Sequence, residues 1–315
     1  MSSKKRLSWS VIVLLLILSG VLSILTGPGG FSYRVLNQVL LFRLPRFLVG
    51  VVAGGVLAVV GGAFQGLLRN PLVDPWTLGV ASGAALGAAF AIVTGTGSSV
   101  LLPVFAFSGA ILAIALVYVL ARGRGGLTVI RLVLAGVIVS FFFSSLVMLV
   151  MVIFHRSLGE AVYLMMGSLT VVFTRKSLGL FVISAILALA GCGWLMVHNR
   201  ELDVISLSEE TALSLGVDVQ RLTRMVFLVG SIAVGLIVAW TGAISFVGLV
   251  VPHLVRMLFG PKHSQVLPGS FLLGAGVLLF ADVLVRTLTP TGLPLSVVTA
   301  LVGVPFFIYL LRTKV

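Results

Sequence analysis

Eight carboxylates, four histidines and one cysteine are the main groups that this chain of 315 residues offers for acid–base or metal chemistry. His155, His198, His253 and His263 lie at the ends of apolar runs or in the links between them, and none is paired at ligand spacing. No Gly-x-Ser-x-Gly, His-Glu-x-x-His or Gly-x-x-x-x-Gly-Lys-Ser/Thr occurs, so hydrolase, zinc-protease and Walker-type chemistry have no sequence support. Asp74, Glu201, Asp203, Glu209, Glu210 and Asp218 are read as cytoplasmic and Glu160 as external. Asp282 is placed near the outer end of an apolar run, four residues before Arg286, as a local ion pair. A proton- or sodium-coupled carrier needs a group that changes charge at mid-membrane. None is read here, so the energy source is expected outside the chain.

The longest polar link, "LDVISLSEETALSLGVDVQRLTR" (202–224), has the pattern of a docking element. Ser206 and Glu209 stand at capping-box spacing. Glu209 and Glu210 suit the positive start of a helix, and Gly216 is a natural stop. The spacing predicts a helix of about two turns. Its acidic start disfavours an anionic lipid surface and favours a protein partner.

These residues must be held by membrane-spanning helices. Hydrophobic residues make up 59% of the chain and charged ones 9%, with mean hydropathy +1.25. Apolar runs without alternation exclude an outer-membrane barrel. The pattern predicts an all-α polytopic membrane protein with about ten transmembrane helices, at 8–26, 46–68, 78–95, 100–121, 128–153, 176–197, 222–241, 243–258, 269–286 and 294–311. The first is read as an uncleaved span rather than a signal peptide. Segments 31–42 and 154–175 are candidate re-entrant or interfacial helices. The single Cys192 allows no intrachain disulfide and reads as a small buried hydrophobe.

A cytoplasmic N-terminus puts 14 of the 21 basic residues inside, which fixes both termini there. Seven remain outside, among them Arg34, Arg43, Arg46 and Arg286, and the positive-inside rule leaves them unexplained. Small residues recur every fourth position at Gly50, Gly54, Ala58, Gly62 and Gly66, and again at Gly79, Gly83, Gly87, Ala91 and Gly95. Such ladders let helices approach closely in lipid, so the second span is expected to be enclosed by others. "RLPRFLVG" (43–50) and "RLTRMVFLVG" (221–230) enter from opposite faces, a weak inverted repeat relating spans 2–5 and 7–10.

The stretches "RLPRFLVGVVAGGVLAVVGGAFQGLLRNPLVDPWTLGVASGAALGA" (43–88), "RLVLAGVIVS" (131–140), "YLMMGSL" (163–169), "SLSEETALSLGV" (206–217) and "GAISFVGLVVPHLVRMLFGPKH" (242–263) resemble FecCD-type permeases. So do "LPGSFLLGAGVLLFADVLVR" (267–286) and "LPLSVVTALVGVPFFIYLL" (293–311), and the likeness runs from about residue 32 to the end. These are membrane subunits of ABC importers for ferric siderophores, haem and cobalamin.

The resemblance implies a ten-span subunit in the cytoplasmic (inner) membrane that pairs with a second copy, most simply as a homodimer. Two separate ATPase subunits, which use ATP and Mg, would bind below and an extracytoplasmic substrate-binding protein above. No cofactor or metal is expected on this chain, and membrane lipid but no nucleic acid among its partners. By the same resemblance, Arg43, Arg46 and Arg286, assisted by Arg34, would meet glutamates of the binding protein. Ser206, Glu209, Glu210, Thr211, Ala212 and Gly216, within segment 202–221, would couple to the ATPase. The path would follow spans five and ten, with Thr128, Val129 and Ile130 at an inner gate and Ser140 and Ser144 along the wall. Phe141 to Phe143 are read as core. The expected function is the permease of an ATP-driven importer, and the rival is an ion-coupled secondary transporter.

Overall fold

The computed structural model describes residues 3–27, 30–31, 36–123, 126–155, 166–288 and 293–314. Arg34 and residues 156–165 of the 154–175 segment lie outside the described residues. Among the described residues there are twelve α-helices. They are α1 (Ser3–Leu25), α2 (Leu36–Leu67), α3 (Val80–Val93), α4 (Leu101–Ala121), α5 (Val129–Ile153) and α6 (Arg175–Val197). After them come α7 (Asn199–Leu207), α8 (Glu209–Ser214), α9 (Val219–Thr241), α10 (Val247–Phe259), α11 (His263–Leu288) and α12 (Leu295–Lys314). Two antiparallel pairs of two-residue strands, Thr26–Gly27 with Gly30–Phe31 and Arg122–Gly123 with Gly126–Leu127, are the sheet among the described residues.

The chain is an all-α polytopic membrane protein, and seven helices (α1, α2, α4, α5, α6, α9 and α11) are long and apolar enough to cross a bilayer. The expected spans at 78–95 and 243–258 are not continuous helices. With 14 and 13 residues, α3 and α10 reach only about 20 Å at 1.5 Å per residue, against a hydrocarbon core of about 30 Å. Irregular backbone precedes each of them. A 3-10 turn at Pro75–Leu78 leads through Gly79, in the left-handed region at φ 83°, into α3. The non-helical segment 242–246 leads into α10. Such backbone survives away from water only when its polar groups find partners. Here the Ser245 N–H donates to Ser296 Oγ (3.2 Å), which donates to the Ala243 carbonyl (2.8 Å). The Phe246 N–H donates to Asp74 Oδ2 (3.0 Å).

The segment from residue 36 is not a separate interfacial helix. It is the start of α2, which runs 32 residues and passes through Pro45 without ending. The enclosure of α2 is plain, because its apolar window is 78% buried, packed on α9, α10 and α11. A Cβ at Gly54 would lie 2.3 Å from the Gly274 carbonyl oxygen, and one at Gly274 2.4 Å from that of Gly54. Gly83 of α3 and Gly109 of α4 approach in the same reciprocal way, at 2.4 and 2.1 Å. At Gly62 the nearest atom is a Leu267 methyl at 3.3 Å, which can move.

These distances separate two substitutions. Gly54→Leu is expected to destabilise the fold by about 3 kcal/mol or more, since backbone cannot rotate away. Gly62→Ala is expected to be tolerated. Yield of monodisperse protein in mild detergent reads the difference, and equal yields would contradict the close α2–α11 approach.

Candidate functional site

At one end of the bundle, the C-terminal turn of α1 presents carbonyls that arginines cap, the favourable place for cations on a helix. Arg43 donates to the Ile24 and Leu25 carbonyls, each at 2.8 Å. Arg286 donates to the Thr26 carbonyl at 3.0 Å and the Ser23 carbonyl at 3.3 Å. Asp282 accepts a forked pair from Arg46, Nε at 3.0 Å and Nη2 at 2.7 Å. The Arg286 guanidinium approaches the other oxygen of Asp282 at 2.9 Å. Two guanidiniums thus hold one carboxylate while Arg43 caps the same helix end, and the cluster stays cationic. Asp282 is 1% exposed and the Arg286 side chain 6%. The expected local pair with Arg286 is present, and Arg46, from a different helix, is the partner that spacing did not reveal.

One carboxylate that the sequence places in a polar link stands inside the bundle. Asp74 is buried, not in an aqueous link. Its Oδ1 accepts the Trp76 N–H at 3.2 Å as N-cap of the 3-10 turn, and its Oδ2 holds Phe246. The turn packs on α5, which draws the link inward. Phe246 is a non-glycine residue in the left-handed region, φ 68°. The sequence signal for this latch is "DP", an N-cap carboxylate before a proline at the first position of a helical turn. With Asp74 and Asp282 both buried, the lack of a buried carboxylate no longer argues against ion coupling. Beside the latch lies an apolar cavity of about 600 Å³, lined by Trp76, Met166, Phe246, Ala300, Leu301 and Val304.

The path residues expected on α5 fall into place unevenly. Thr128 precedes the helix and makes no side-chain cap. Val129 is half-buried and Ile130 exposed, while Ser140 and Ser144 are half-buried. Phe143 is core, but Phe141 and Phe142 are exposed and not core as expected. Consecutive helical residues point about 100° apart, so three in a row cannot share one buried face. Phe142 and Phe141 join Leu134, Ile138 and Leu149 on an exposed apolar face.

At the opposite end of the bundle the polar link is two helices, α7 and α8, meeting at Ser208. The N-cap is Ser208, whose Oγ accepts the Thr211 N–H at 2.9 Å, not Ser206. Ser206 lies inside α7 and donates to the Asp203 carbonyl at 2.6 Å. The run before Ser206 is already helical, so the N-cap falls two residues later, at Ser208. Leu202, Ile205 and Ala212 are buried and anchor the pair. Glu209 is bound by Arg69 at 2.9 Å, and Glu210 is exposed. Gly216 turns the chain at φ 78°.

Asp203, missed as a site residue, ties α7 to α11. Its Oδ1 accepts both the His263 backbone N–H and the ring Nδ1–H, each at 2.7 Å. Burial alone would raise the Asp203 pKa. The His263 hydrogen bonds, with the charges of His263 and Lys262, outweigh it and hold the carboxyl below its usual range. A carboxyl with a depressed folded pKa stabilises the fold above its unfolded value of about 4, and the gain is lost as acid titrates it. The anchorage of α7 is therefore expected to loosen as the pH falls below about 4. Limited proteolysis of residues 199–218 across pH reads this, and Asp203→Asn should cleave readily at every pH. Unchanged cleavage in that variant would discount the tie.

The profile of the FecCD transport family matches residues 7–313. The chain is 36% identical over 324 residues to the hemin transport system permease HmuU of Yersinia pestis, covering 97% of this chain and 95% of that protein. It is 39% identical over 273 residues to the cobalamin import system permease BtuC of Halobacterium salinarum, covering 86% and 72%. A solved structure described as an inward-facing metal-chelate type ABC transporter superposes with TM-score 0.85 at 34% identity, covering 99% of this chain and all of that one.

Proposed function

We propose, on the premise that this chain belongs to the FecCD transport family and is the permease of an ABC importer, that its cargo is a metal chelate or corrinoid. Iron-siderophore, haem and cobalamin are the candidate substrates. The carrying observation is the likeness along 99% of the chain to a metal-chelate type ABC transporter. In this reading the chain sits in the cytoplasmic membrane with both termini inside and pairs with a second copy. It is not itself an enzyme, and ATP is hydrolysed on two separate ATPase subunits.

The exposed apolar face of α5 and the open side of α12 would form the path between two copies, with Thr128 to Ile130 at its inner end. The cytoplasmic pair α7–α8 would seat in the ATPase. Leu207, Leu213 and Leu215 stand exposed there beside Glu210, while Leu202, Ile205 and Ala212 root the pair in the bundle. A rooted helix with an apolar outer face can convey a partner's movement inward. On the opposite side the cationic cluster of Arg43, Arg46 and Arg286 would receive acidic groups of a binding protein.

Reconstitution in vesicles with the ATPase and binding protein tests the whole reading. ATP-dependent uptake of haem, a ferric siderophore or cobalamin is expected, and none from the chain alone under a proton or sodium gradient. Uptake driven by the gradient alone would replace the proposal with an ion-coupled carrier, for which Asp74 and Asp282 would be the first residues to test. For docking, Arg43→Glu is the clean variant, because Arg43 holds neutral carbonyls. It should weaken binding-protein docking roughly tenfold at low salt and less at high salt. Docking unchanged at low salt would remove the cluster from that role. Reversal of Arg46 or Arg286 would set a second carboxylate against Asp282 and so report on folding.

A further inference from the structure

Between the cytoplasmic ends of α2, α7 and α10 lies a polar cavity of about 380 Å³. Gln65, Gly66 and His263 form buried walls, and Arg69, Asn70 and Met257 form an exposed mouth. Arg256 reaches into it from α10. Its guanidinium donates to Gln65 Oε1 and, at 3.1 Å, to the Gly62 carbonyl. Both acceptors are neutral. Among the described residues Arg256 has no ion-pair partner. A guanidinium carries five N–H donors, and these two bonds use two of them.

Withdrawing a cation from water without a counter-charge is costly. The cavity supplies none, for no acidic residue lines it. A second cation, Arg69, stands at the mouth. It takes the left-handed conformation, φ 49°, at a helix end where glycine is usual. Its one carboxylate partner, Glu209, is outside the lining. Asn70 and Ser206 add neutral polar groups to the wall. Buried His263 Nε2 lies against Gly66 on the same wall with no hydrogen-bond partner.

From this arrangement we propose that the cavity is a binding site for a phosphate-class oxyanion. The forked donors of two arginines match tetrahedral oxygens, and the open mouth admits a small anion from the cytoplasm. A phospholipid headgroup carries the same chemistry, because the cavity sits where helices leave the bilayer. The site does not depend on what the chain transports.

The test uses the full chain, delipidated in detergent, with inorganic phosphate titrated against chloride at constant ionic strength. Calorimetry should show saturable binding. Arg256→Gln should weaken it at least about tenfold. Ser206→Asp, which places a carboxylate in the cavity, should abolish it while the protein remains folded. In parallel, native mass spectrometry of protein drawn from phosphatidylglycerol or phosphatidylcholine nanodiscs distinguishes the sources. Selective retention of phosphatidylglycerol, lost in Ser206→Asp, would assign the oxyanion to lipid. The proposal is overturned if wild type binds neither phosphate nor phosphatidylglycerol above its control, or if both variants bind as wild type does.

Discussion

Asp282→Ala is expected to be the most damaging single change at the arginine-rich end of the bundle, at about 3–5 kcal/mol. The carboxylate is 1% exposed and takes three close contacts from Arg46 and Arg286. Removing it leaves two guanidiniums facing each other with no intervening charge, next to a third on Arg43. Arg286 and Arg43 cap the end of α1, so the repulsion should also free that helix from α2 and α11. Thermal unfolding in detergent should show a fall of several degrees with loss of monodisperse protein. Adding Arg46→Leu and Arg286→Leu to Asp282→Ala should recover part of the loss, because an apolar replacement leaves no buried charge unpaired. An Asp282→Ala protein as stable as wild type would show that water reaches the cluster freely.

The second large effect is expected at Asp74. Each of its oxygens accepts a different backbone N–H, from Trp76 and from Phe246. Asp74→Ala leaves both donors without an acceptor, at about 1–3 kcal/mol each. Asp74→Asn keeps one acceptor and turns an amide N–H toward the other donor, so about half of that loss is expected. The strain at Phe246, φ 68°, persists only while its surroundings hold it. In Asp74→Ala the segment 242–246 should relax and the Phe246 ring should leave the wall it shares with Trp76. ATP-driven uptake should then fall in the order wild type, Asn, Ala, with more hydrogen exchange at residues 242–250. Equal uptake by all three would reduce the latch to an incidental contact.

Several features needed no coordinates. The apolar runs specify helices in a bilayer because hydropathy is a sum over neighbours in the chain. The four-residue ladder through Gly54 marks a buried helix because the period of a helix is local too. The motif order from "RLPR" to "PFFIYLL" suffices to place the chain in its family. A short capped helix in the link 202–224 is legible from its polarity and acidic start, although its cap is Ser208 rather than Ser206.

Only tertiary contacts decide where the charges go. Arg46 finds Asp282 across 236 positions, and Phe246 finds Asp74 across 172. The solvation of a carboxylate depends on what surrounds it in space, and neither residue has that partner within a helical turn. The broken helices at 75–79 and 242–246 escaped the hydropathy pattern for the same reason. Their sequences are apolar enough for a span, and they stay irregular because Asp74 and Ser296 satisfy the backbone that a helix would otherwise have paired.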